Sequence, residues 1–184
     1  AFYVDRGAPF TVRFRDDERF RPDHALASAG LVPAGTSPLM VASSADIEPV
    51  GVHEIRPVDE ESWHAHTSTM ADGFGMPLDL VRSVLPVALA TSRDYAAFTA
   101  HIDGTVVSTS ALVVSDGVAG VYNVATPQAY RGRGFGGATT RAAVAEGMRR
   151  GCALTTLQSS AMGYPLYRDM GYRTVVEWRS YTGS

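Results

Sequence analysis

Two Asp-Gly pairs, Asp103-Gly104 and Asp116-Gly117, constrain the fold of this 184-residue chain more than any other feature of its sequence. They separate three apolar runs of alternating pattern, residues 95–102, 105–114 and 118–125. Asp-Gly between alternating runs is the strongest short-range signal for a β-hairpin turn. The three runs are therefore predicted to be consecutive strands of an antiparallel meander.

A glycine-rich turn and a helix follow the meander. After Thr126 the chain reads Pro-Gln-Ala-Tyr-Arg-Gly-Arg-Gly-Phe-Gly-Gly-Ala, and a helix is predicted over residues 134–150, closed by Gly151. The next predicted elements are a strand (152–158), a short helix (164–170) and a last strand (172–181). A strand–helix–strand crossover makes its two strands parallel. The predicted fold class is mixed α/β, a meander leading into a crossover with one parallel pair.

Residues 1–50 and 51–184 differ in pattern, and they are predicted to form an N-terminal β-α-β extension and a main domain. The extension holds a strand (10–15), a helix (23–29), a second strand (38–42) after a Pro-, Gly- and Ser-rich turn, and a linker (46–51). A segment of this size cannot bury a core alone, so we expect it to pack on the main domain. Before the meander, the main domain is predicted to contain a strand (53–57), a helix (59–70), a loop (72–77) and a helix (78–89).

Composition excludes several classes of protein. The 16 basic and 19 acidic residues give a net charge of −3, whereas nucleic-acid-binding proteins carry a basic excess. All the basic residues are arginines, which excludes a Schiff-base or P-loop lysine. Cys152 is the single cysteine, so no intrachain disulfide forms, and a small core residue is expected there. No apolar stretch would span a bilayer, and residues 1–6 lack the apolar part of a signal peptide. We expect a cytoplasmic protein without nucleic-acid or membrane partners.

The glycine turn predicts a phosphate site. Unpaired N–H groups and the positive end of the helix dipole attract anions at a helix start, and glycines allow close approach. Gly132, Gly134 and Gly137 also fit the dinucleotide fingerprint G-x-G-x-x-G, but no acidic residue lies between Glu146 and Asp169 to hold a ribose. A nicotinamide-dependent oxidoreductase is therefore disfavoured.

Two segments resemble motifs of the GNAT N-acetyltransferase superfamily. Residues 131–136, Arg-Gly-Arg-Gly-Phe-Gly, resemble its R/Q-x-x-G-x-G/A motif. Residues 160–172 are similar to its closing motif, commonly N-x-x-A-x-x-x-Y-x-x-x-G-F, with Ser160 in place of Asn and Tyr172 in place of Phe. The resemblance covers residues 53–181. It implies a GNAT-like fold with a splayed parallel pair, and a transferase that uses acetyl-CoA as co-substrate and no metal.

The resemblance also implies roles for particular residues. Val124, Ala125 and Thr126 correspond to the strand end that pairs with the pantetheine arm of acyl-CoA. The loop that binds its pyrophosphate corresponds to Arg131, Gly132, Arg133, Gly134, Phe135, Gly136, Gly137 and Ala138. Ser160 occupies a position that hydrogen-bonds the cofactor. Tyr167, four residues before Gly171, corresponds to the tyrosine near the thioester sulfur, and it is predicted to be catalytic as the acid for the leaving thiolate.

The general base stays open. The family often places a Glu on the fourth strand of its sheet, where this chain offers only Tyr122 and Asn123; His101 on an earlier strand or a water chain are the alternatives. His64 and His66 would point apart on a helix, so no metal site is predicted. In such proteins the acceptor usually contacts the loop predicted here at 72–77.

Two functions fit these observations. The leading one is an N-acetyltransferase that transfers an acetyl or other acyl group from acetyl-CoA to a primary amine of a small molecule or a peptide N-terminus. The alternative is a non-catalytic acyl-CoA-binding or regulatory module, which would keep the glycine turn and lack the acid and base. A homodimer is left open.

Overall fold

The computed structural model describes residues 10–16, 20–48, 51 and 53–183, which form one mixed sheet with helices on its faces. Residues 1–6, and residues 49 and 50 of the predicted linker, lie outside the described part of the chain. The strands are β1 (Phe10–Arg15), β2 (Val32–Ser43), β3 (Glu54–Pro57), β4 (Tyr95–Ile102), β5 (Thr105–Ser115), β6 (Val118–Ala125), β7 (Leu154–Gln158) and β8 (Arg173–Gly183). The helices are α1 (Asp23–Ser28), α2 (Trp63–Phe74), α3 (Leu78–Val84), α4 (Phe135–Arg149) and α5 (Tyr164–Asp169).

The strands follow the spatial order β1-β8-β2-β7-β6-β5-β4-β3. Among the described strands only β6 and β7 run parallel. Asp103-Gly104 and Asp116-Gly117 form the turns of the meander, and all four residues have positive φ, as the turn of a tight hairpin requires. The predicted mixed α/β fold, its meander and its parallel pair are confirmed.

Helices α4 and α2 cover opposite faces of the sheet. On β5, Leu112 belongs to the core cluster that includes Val144 of α4, whereas its neighbour Ala111 packs in a cluster with Trp63 of α2. Successive strand residues point to opposite faces, so β5 is buried from both sides. Cys152 is buried in the α4 cluster, as predicted.

The end of β6 separates from β7 and bends. Pairing between them runs from Val118 with Leu154 to Val121 with Leu157, and β6 then continues to Ala125. A bulge follows, where Asn123 has φ 53° and the register with β5 shifts. A bulge bends the strand and redirects its side chains. The backbone of residues 122–125 is therefore free of β7 on that side.

Strand β2 lies in the interior of the sheet, between β7 and β8, and β1 pairs with the far side of β8. The prediction of a turn before a strand at 38–42 was wrong, because β2 begins at Val32. Pro33 and Pro38 precede Leu39, the first residue paired with β7, so their missing N–H groups leave no gap in that ladder. Met40 is fully buried in the same core cluster as residues of α4.

The start of α2 differs from the predicted one. The helix begins at Trp63, not at residue 59. Asp59 and Ser62 form a turn before it, in which the Asp59 N–H donates to Ser62 Oγ and the Ser62 N–H donates to Asp59 Oδ1, both at 2.9 Å. The acidic residues at 59–61 therefore belong to this turn and not to the first helical turn.

The loop predicted at 72–77 was wrong for its first half. Helix α2 continues to Phe74 and ends at Gly75, whose φ of 65° is left-handed. Gly73 lies inside the helix, where an added Cβ would come within 2.9 Å of the Ala125 Cβ. This glycine permits close contact between α2 and the end of β6.

The next helix is shorter than predicted. Helix α3 ends at Val84, and a separate 3₁₀ turn covers Val87–Thr91. Pro86 lacks an N–H and disfavours the helical conformation of Leu85, whose φ is −122° and ψ 78°. None of the described helices has the length and apolarity needed to cross a membrane.

Candidate active site

An open cavity of about 720 Å³ adjoins the splayed end of β6 and the start of α4, a size typical of small-molecule sites. It is lined by most of the predicted site residues: Val124, Ala125, Thr126, Arg131, Gly132, Gly134, Phe135, Gly136, Gly137, Ser160 and Tyr167. Gly73 and Phe74, which also line it, fall in the 72–77 segment expected to contact the acceptor, whereas sequence reasoning missed Tyr130, Met162, Gly163 and Leu166. Two predicted residues, Arg133 and Ala138, are not part of the lining.

The glycine turn gives α4 an uncapped N-terminus. Gly134 precedes the helix in a left-handed conformation with φ 84°, and no side chain caps it. The first helical hydrogen bond runs from the Ala138 N–H to the Gly134 carbonyl at 3.0 Å. Within the described residues, the N–H groups of Phe135, Gly136 and Gly137 have no acceptor. Together with the helix dipole they form a site suited to an anion.

Arg131 fixes the position of this turn. Its Nε donates to the Thr126 carbonyl and its Nη2 to the Gly73 carbonyl, both at 2.9 Å. The side chain thus joins the turn to the ends of β6 and α2. Its guanidinium therefore bonds to backbone carbonyls of the protein itself.

Two side chains, Arg133 and His53, contact the Phe135 ring. The Arg133 guanidinium lies 5.3 Å from the ring centroid, and this side chain is exposed. The His53 ring lies 4.4 Å from the same ring, and its Nε2 is 3.2 Å from where a Cβ would stand on Gly134. His53 was not predicted to lie beside the turn, because its position depends on β3 lying next to α4.

Tyr167 brings a phenol to the cavity wall. Burial raises the pKa of Tyr167 to about 12, with the Thr140 side chain opposing the rise. The phenol therefore keeps its proton near neutral pH and acts as a hydrogen-bond donor. Its ring packs edge-on against Tyr172 at 6.0 Å, and an added Cβ on Gly163 would come within 2.8 Å of it. The backbone at Gly163 and the Tyr172 ring thus hold the Tyr167 ring in place.

Ser160 lines the cavity and also starts the turn that leads into α5. Its Oγ accepts the Gly163 N–H at 3.1 Å, and its carbonyl accepts the Tyr164 N–H at 3.0 Å. The hydroxyl proton is not used in these two bonds, so Ser160 can still donate to a ligand.

The side chains considered as bases lie elsewhere. Tyr122, Asn123 and His101 are not among the cavity-lining residues. His101 Nε2 lies 3.0 Å from Thr99 Oγ1, while its Nδ1 is buried and has no partner within the described residues. His64 and His66 contact different partners, Arg82 and Thr109, and no group of three metal-ligating side chains is found in the described part of the chain.

The mixed sheet, the splayed parallel pair and the glycine turn together define the GNAT fold. Residues 77–172 match the sequence profile of the Acetyltransferase (GNAT) family. The chain belongs to this family, and the relationship supports acyl transfer in general. No curated protein matches the chain in sequence.

Solved structures of low sequence identity share the fold. A GCN5-related N-acetyltransferase from Kribbella flavida superimposes with a TM-score of 0.75 at 18% identity, covering 100% of this chain and 72% of that one. A functionally unknown conserved protein from Staphylococcus epidermidis gives 0.76 at 11% identity, covering 98% and 75%. A GCN5-related N-acetyltransferase from Sphaerobacter thermophilus gives 0.72 at 18%, covering 98% and 63%. Each of the three proteins therefore has a part without a counterpart in this chain.

Proposed function

We propose that the protein is an N-acyltransferase that transfers an acetyl group from acetyl-CoA to a primary amine of a small molecule or a peptide N-terminus. The observation that carries the proposal is the row of unpaired N–H groups at Phe135, Gly136 and Gly137, on the wall of the same cavity as the Tyr167 phenol. One site thus offers N–H groups that suit a phosphate-bearing ligand and a phenol that acts as a proton donor.

The residues present fit acetyl-CoA. The anionic pyrophosphate suits the N-terminal amides of α4, because backbone N–H groups and the helix dipole both favour negative charge there. The end of β6 extends beyond its pairing with β7, so this edge of the strand is where we expect the amides of the pantetheine arm to pair. When bound, acetyl-CoA supplies an activated acyl group as a thioester.

Tyr167 is proposed to assist the departure of the thiolate. A CoA thiol has a pKa of about 8.5, judged from cysteine, which is below that of the buried phenol. The phenol is therefore protonated when the reaction begins. It donates a hydrogen bond to the sulfur as negative charge develops on the sulfur atom. The N–H groups at the splayed end of β6 are the candidates for stabilising the carbonyl oxygen.

A non-catalytic acyl-CoA-binding module is the second candidate. One observation favours it: the described residues that line the cavity include no Asp, Glu or His. Such a module would bind acetyl-CoA through the same turn and release no thiol in the presence of amines.

Gly136→Val tests the cofactor assignment. An added Cβ at 136 would meet Thr126 Oγ1 at 3.4 Å and Val124 Cγ1 at 3.7 Å, which are ordinary contacts, so the fold should tolerate the change. The larger side chain would obstruct the approach of a phosphate to the amides. We expect calorimetry to detect acetyl-CoA binding by the wild type and not by the variant.

The matched control is Gly51→Val, where no described atom lies within 4 Å of an added Cβ. It should bind acetyl-CoA normally. Unchanged affinity in Gly136→Val would refute the cofactor site, and binding of NADH in place of acetyl-CoA would refute the family-based function. A thiol-release assay over a panel of amines then separates the enzyme from the binding module.

A further inference from the structure

The two ends of the chain share one local structure. Helix α5 begins and ends 141 residues after α1 (164 against 23, and 169 against 28), and β8 begins 141 residues after β2 (173 against 32). Each helix is followed by a glycine of positive φ, Gly30 and Gly171, and the hydrogen bonds that close the two helices join corresponding residues. The helix sequences, DHALAS and YPLYRD, are unlike, so the repeat is one of structure.

The two copies pair with each other about a local twofold axis. In the antiparallel ladder of β2 and β8, Ser37 lies opposite Trp178, its own counterpart 141 residues later. The two irregularities of this ladder, one near each end, occupy corresponding places. Beyond the ladder, β1 pairs with β8 in the same register in which β7 pairs with β2. Residues 10–43 are therefore a second copy of the strand–helix–strand that closes the main sheet.

The two copies differ in what covers them. In the main domain, Leu157 and Tyr167 are 3% and 7% exposed, because they share a core cluster with residues of α4 and β6. Their counterparts, Val12 by strand register and Leu26 by helix position, are only half-buried, and α1 has no buried residue. Among the described elements, β1 is the outermost strand at its end of the sheet, and no helix takes the place of α4 beside it.

An apolar face is thereby left open. Phe14 packs edge-on against Phe20 at 5.8 Å and stacks on Tyr181 at 5.9 Å, and Phe20 is 56% exposed. Val12 and Phe14 lie on the same side of β1, since side chains alternate along a strand. We call Val12, Phe14, Phe20 and Leu26 the N-terminal face. Exposed apolar patches beside a sheet edge are typical of surfaces that another polypeptide covers.

We propose that the N-terminal face docks the strand–turn–helix segment of another GNAT-type polypeptide, which completes a second unit of this fold. The main domain shows the form of such an occupant: β6 pairs parallel with β7, and α4 then packs in one core with α5. By the local twofold relationship, the partner's strand pairs parallel with the outer edge of β1, and its helix packs against Leu26. The face is separate from the candidate active site, so the inference does not depend on the cofactor.

Hydrogen exchange of the wild-type chain tests whether the face is open. We expect the amides of β1 and α1 to exchange at least about tenfold faster than those of β7 and α5, because local opening is easier where little apolar surface is buried. Sedimentation should give the same mass for the wild type and Leu26→Glu. Protection of β1 equal to that of β7, or a wild-type dimer that Leu26→Glu dissociates, would overturn the proposal, since the chain itself or a second copy would then cover the face.

Docking is tested with a segment of known structure as the probe. Residues 105–153, which contain β5, β6, α4 and the connection to β7, are fused ahead of the intact chain. We expect the added segment to slow hydrogen exchange in β1 and α1 by about tenfold or more, because its strand pairs with β1 and its helix covers α1. A fusion in which these amides exchange as fast as in the wild type would refute docking.

Two substitutions on α1 separate docking from folding. Leu26 lies on the N-terminal face, whereas Ala27 is exposed, like its counterpart Arg168. In the chain alone, Leu26→Glu and Ala27→Glu should both melt close to the wild-type temperature, because α1 has no buried residue. In the fusion, Leu26→Glu should restore fast exchange and Ala27→Glu should not. Equal exchange in the two fused variants, or a Leu26→Glu chain that melts well below the Ala27→Glu chain, would overturn the proposal, since Leu26 would then not contact the partner or would already belong to a finished core.

Discussion

Tyr167 is the residue of the site whose burial most directly determines the chemistry of its side chain. Its ring is 7% exposed and packs against Tyr172, yet it forms part of the cavity wall. Desolvation disfavours the phenolate, which is why the pKa rises to about 12. A phenol with this pKa keeps its proton at neutral pH, which suits the role of donating a hydrogen bond to a leaving thiolate.

Tyr167→Phe removes the hydroxyl and keeps the ring. We expect the turnover number to fall by ~10²–10⁴, the usual contribution of a positioned acid, with nearly unchanged acetyl-CoA affinity. Because a thiolate needs no proton above its own pKa of about 8.5, the deficit should shrink as the pH rises past that value. Thiol release measured from pH 7 to 10, with binding by calorimetry, checks both points.

Tyr122→Phe is the control, since that side chain is 51% exposed and lies outside the cavity lining. It should turn over like the wild type. If Tyr167→Phe also retained the wild-type rate at neutral pH, with single-turnover experiments showing that chemistry limits the rate, the acid role would be lost and Tyr167 would only bound the channel.

The residues of the candidate site fall into two groups: those of one contiguous segment, and those that other elements of the fold bring to it. The turn from Arg131 to Gly137 is contiguous, so its composition and its place between a strand and a helix could be recognised in the sequence. His53 and Met162 come from other elements and reach the site only through the fold. No local pattern marks these two side chains, since their position depends on how β3 and the segment before α5 pack.

At the scale of elements, local turn chemistry was a better guide than the apparent ends of helices. The Asp-Gly pairs placed the ends of β4 and the start of β6 correctly. Helix α4 buries Thr140 and Gly147 against the sheet, whereas its apolar residues Ala142 and Ala145 are only half-buried. An added Cβ on Gly147 would come within 2.5 Å of the Ala119 Cβ, so the helix packs its backbone against β6. Hydrophobic periodicity cannot detect a contact made by a glycine.

Strand β2 provides the test of whether residues 1–50 form an independent module. We propose that they do not, because Met40 shares a core cluster with Leu112 and Val144. Met40→Ala should lower the free energy of unfolding of the whole molecule by about 2–5 kcal/mol, the range for a buried large-to-small change. Urea unfolding followed by both tryptophan fluorescence and far-UV circular dichroism checks the size of the effect and its cooperativity.

The control is Met148→Ala, at a 46% exposed position of α4, where a change within about 0.5 kcal/mol is expected. Two separate transitions in the wild type, or a Met40→Ala protein whose main transition is unshifted, would show that the N-terminal segment folds apart from residues 51–184.

On the scale of the whole molecule, stability in mild acid depends on His66, a fully buried side chain between α2 and β5. Its Nδ1 contacts the Thr109 hydroxyl, which itself donates to the Phe98 carbonyl at 3.1 Å. Nδ1 is therefore the protonated nitrogen, and Nε2 accepts from the Tyr95 hydroxyl at 3.5 Å. The neutral ring satisfies this cluster, and a second proton would have to displace the Tyr95 contact.

Burial lowers the pKa of His66 from 6.5 to about 4. Between these values the unfolded chain binds more protons than the folded one, so the free energy of unfolding falls as the pH falls. Glu146, whose pKa the Arg149 and Arg150 hydrogen bonds lower to about 2, loses its contribution only as the pH falls from 4.5 through 2. The window above pH 5 is therefore free of the Glu146 effect.

We expect the free energy of unfolding to drop by about 1 to 2 kcal/mol between pH 7.5 and 5.5 on account of His66. His66→Gln removes the titrating ring, so its stability should change less over the same interval, whatever its absolute value at pH 7.5. Tyr95→Phe is the matched control: it disturbs the same cluster but removes no group that titrates in this range, and it should keep the wild-type slope. Urea denaturation at several pH values measures all three. A slope in His66→Gln as steep as that of the wild type would show that His66 takes up its proton in the folded protein as readily as in the unfolded chain, and acid sensitivity in this range would then have to arise at other sites.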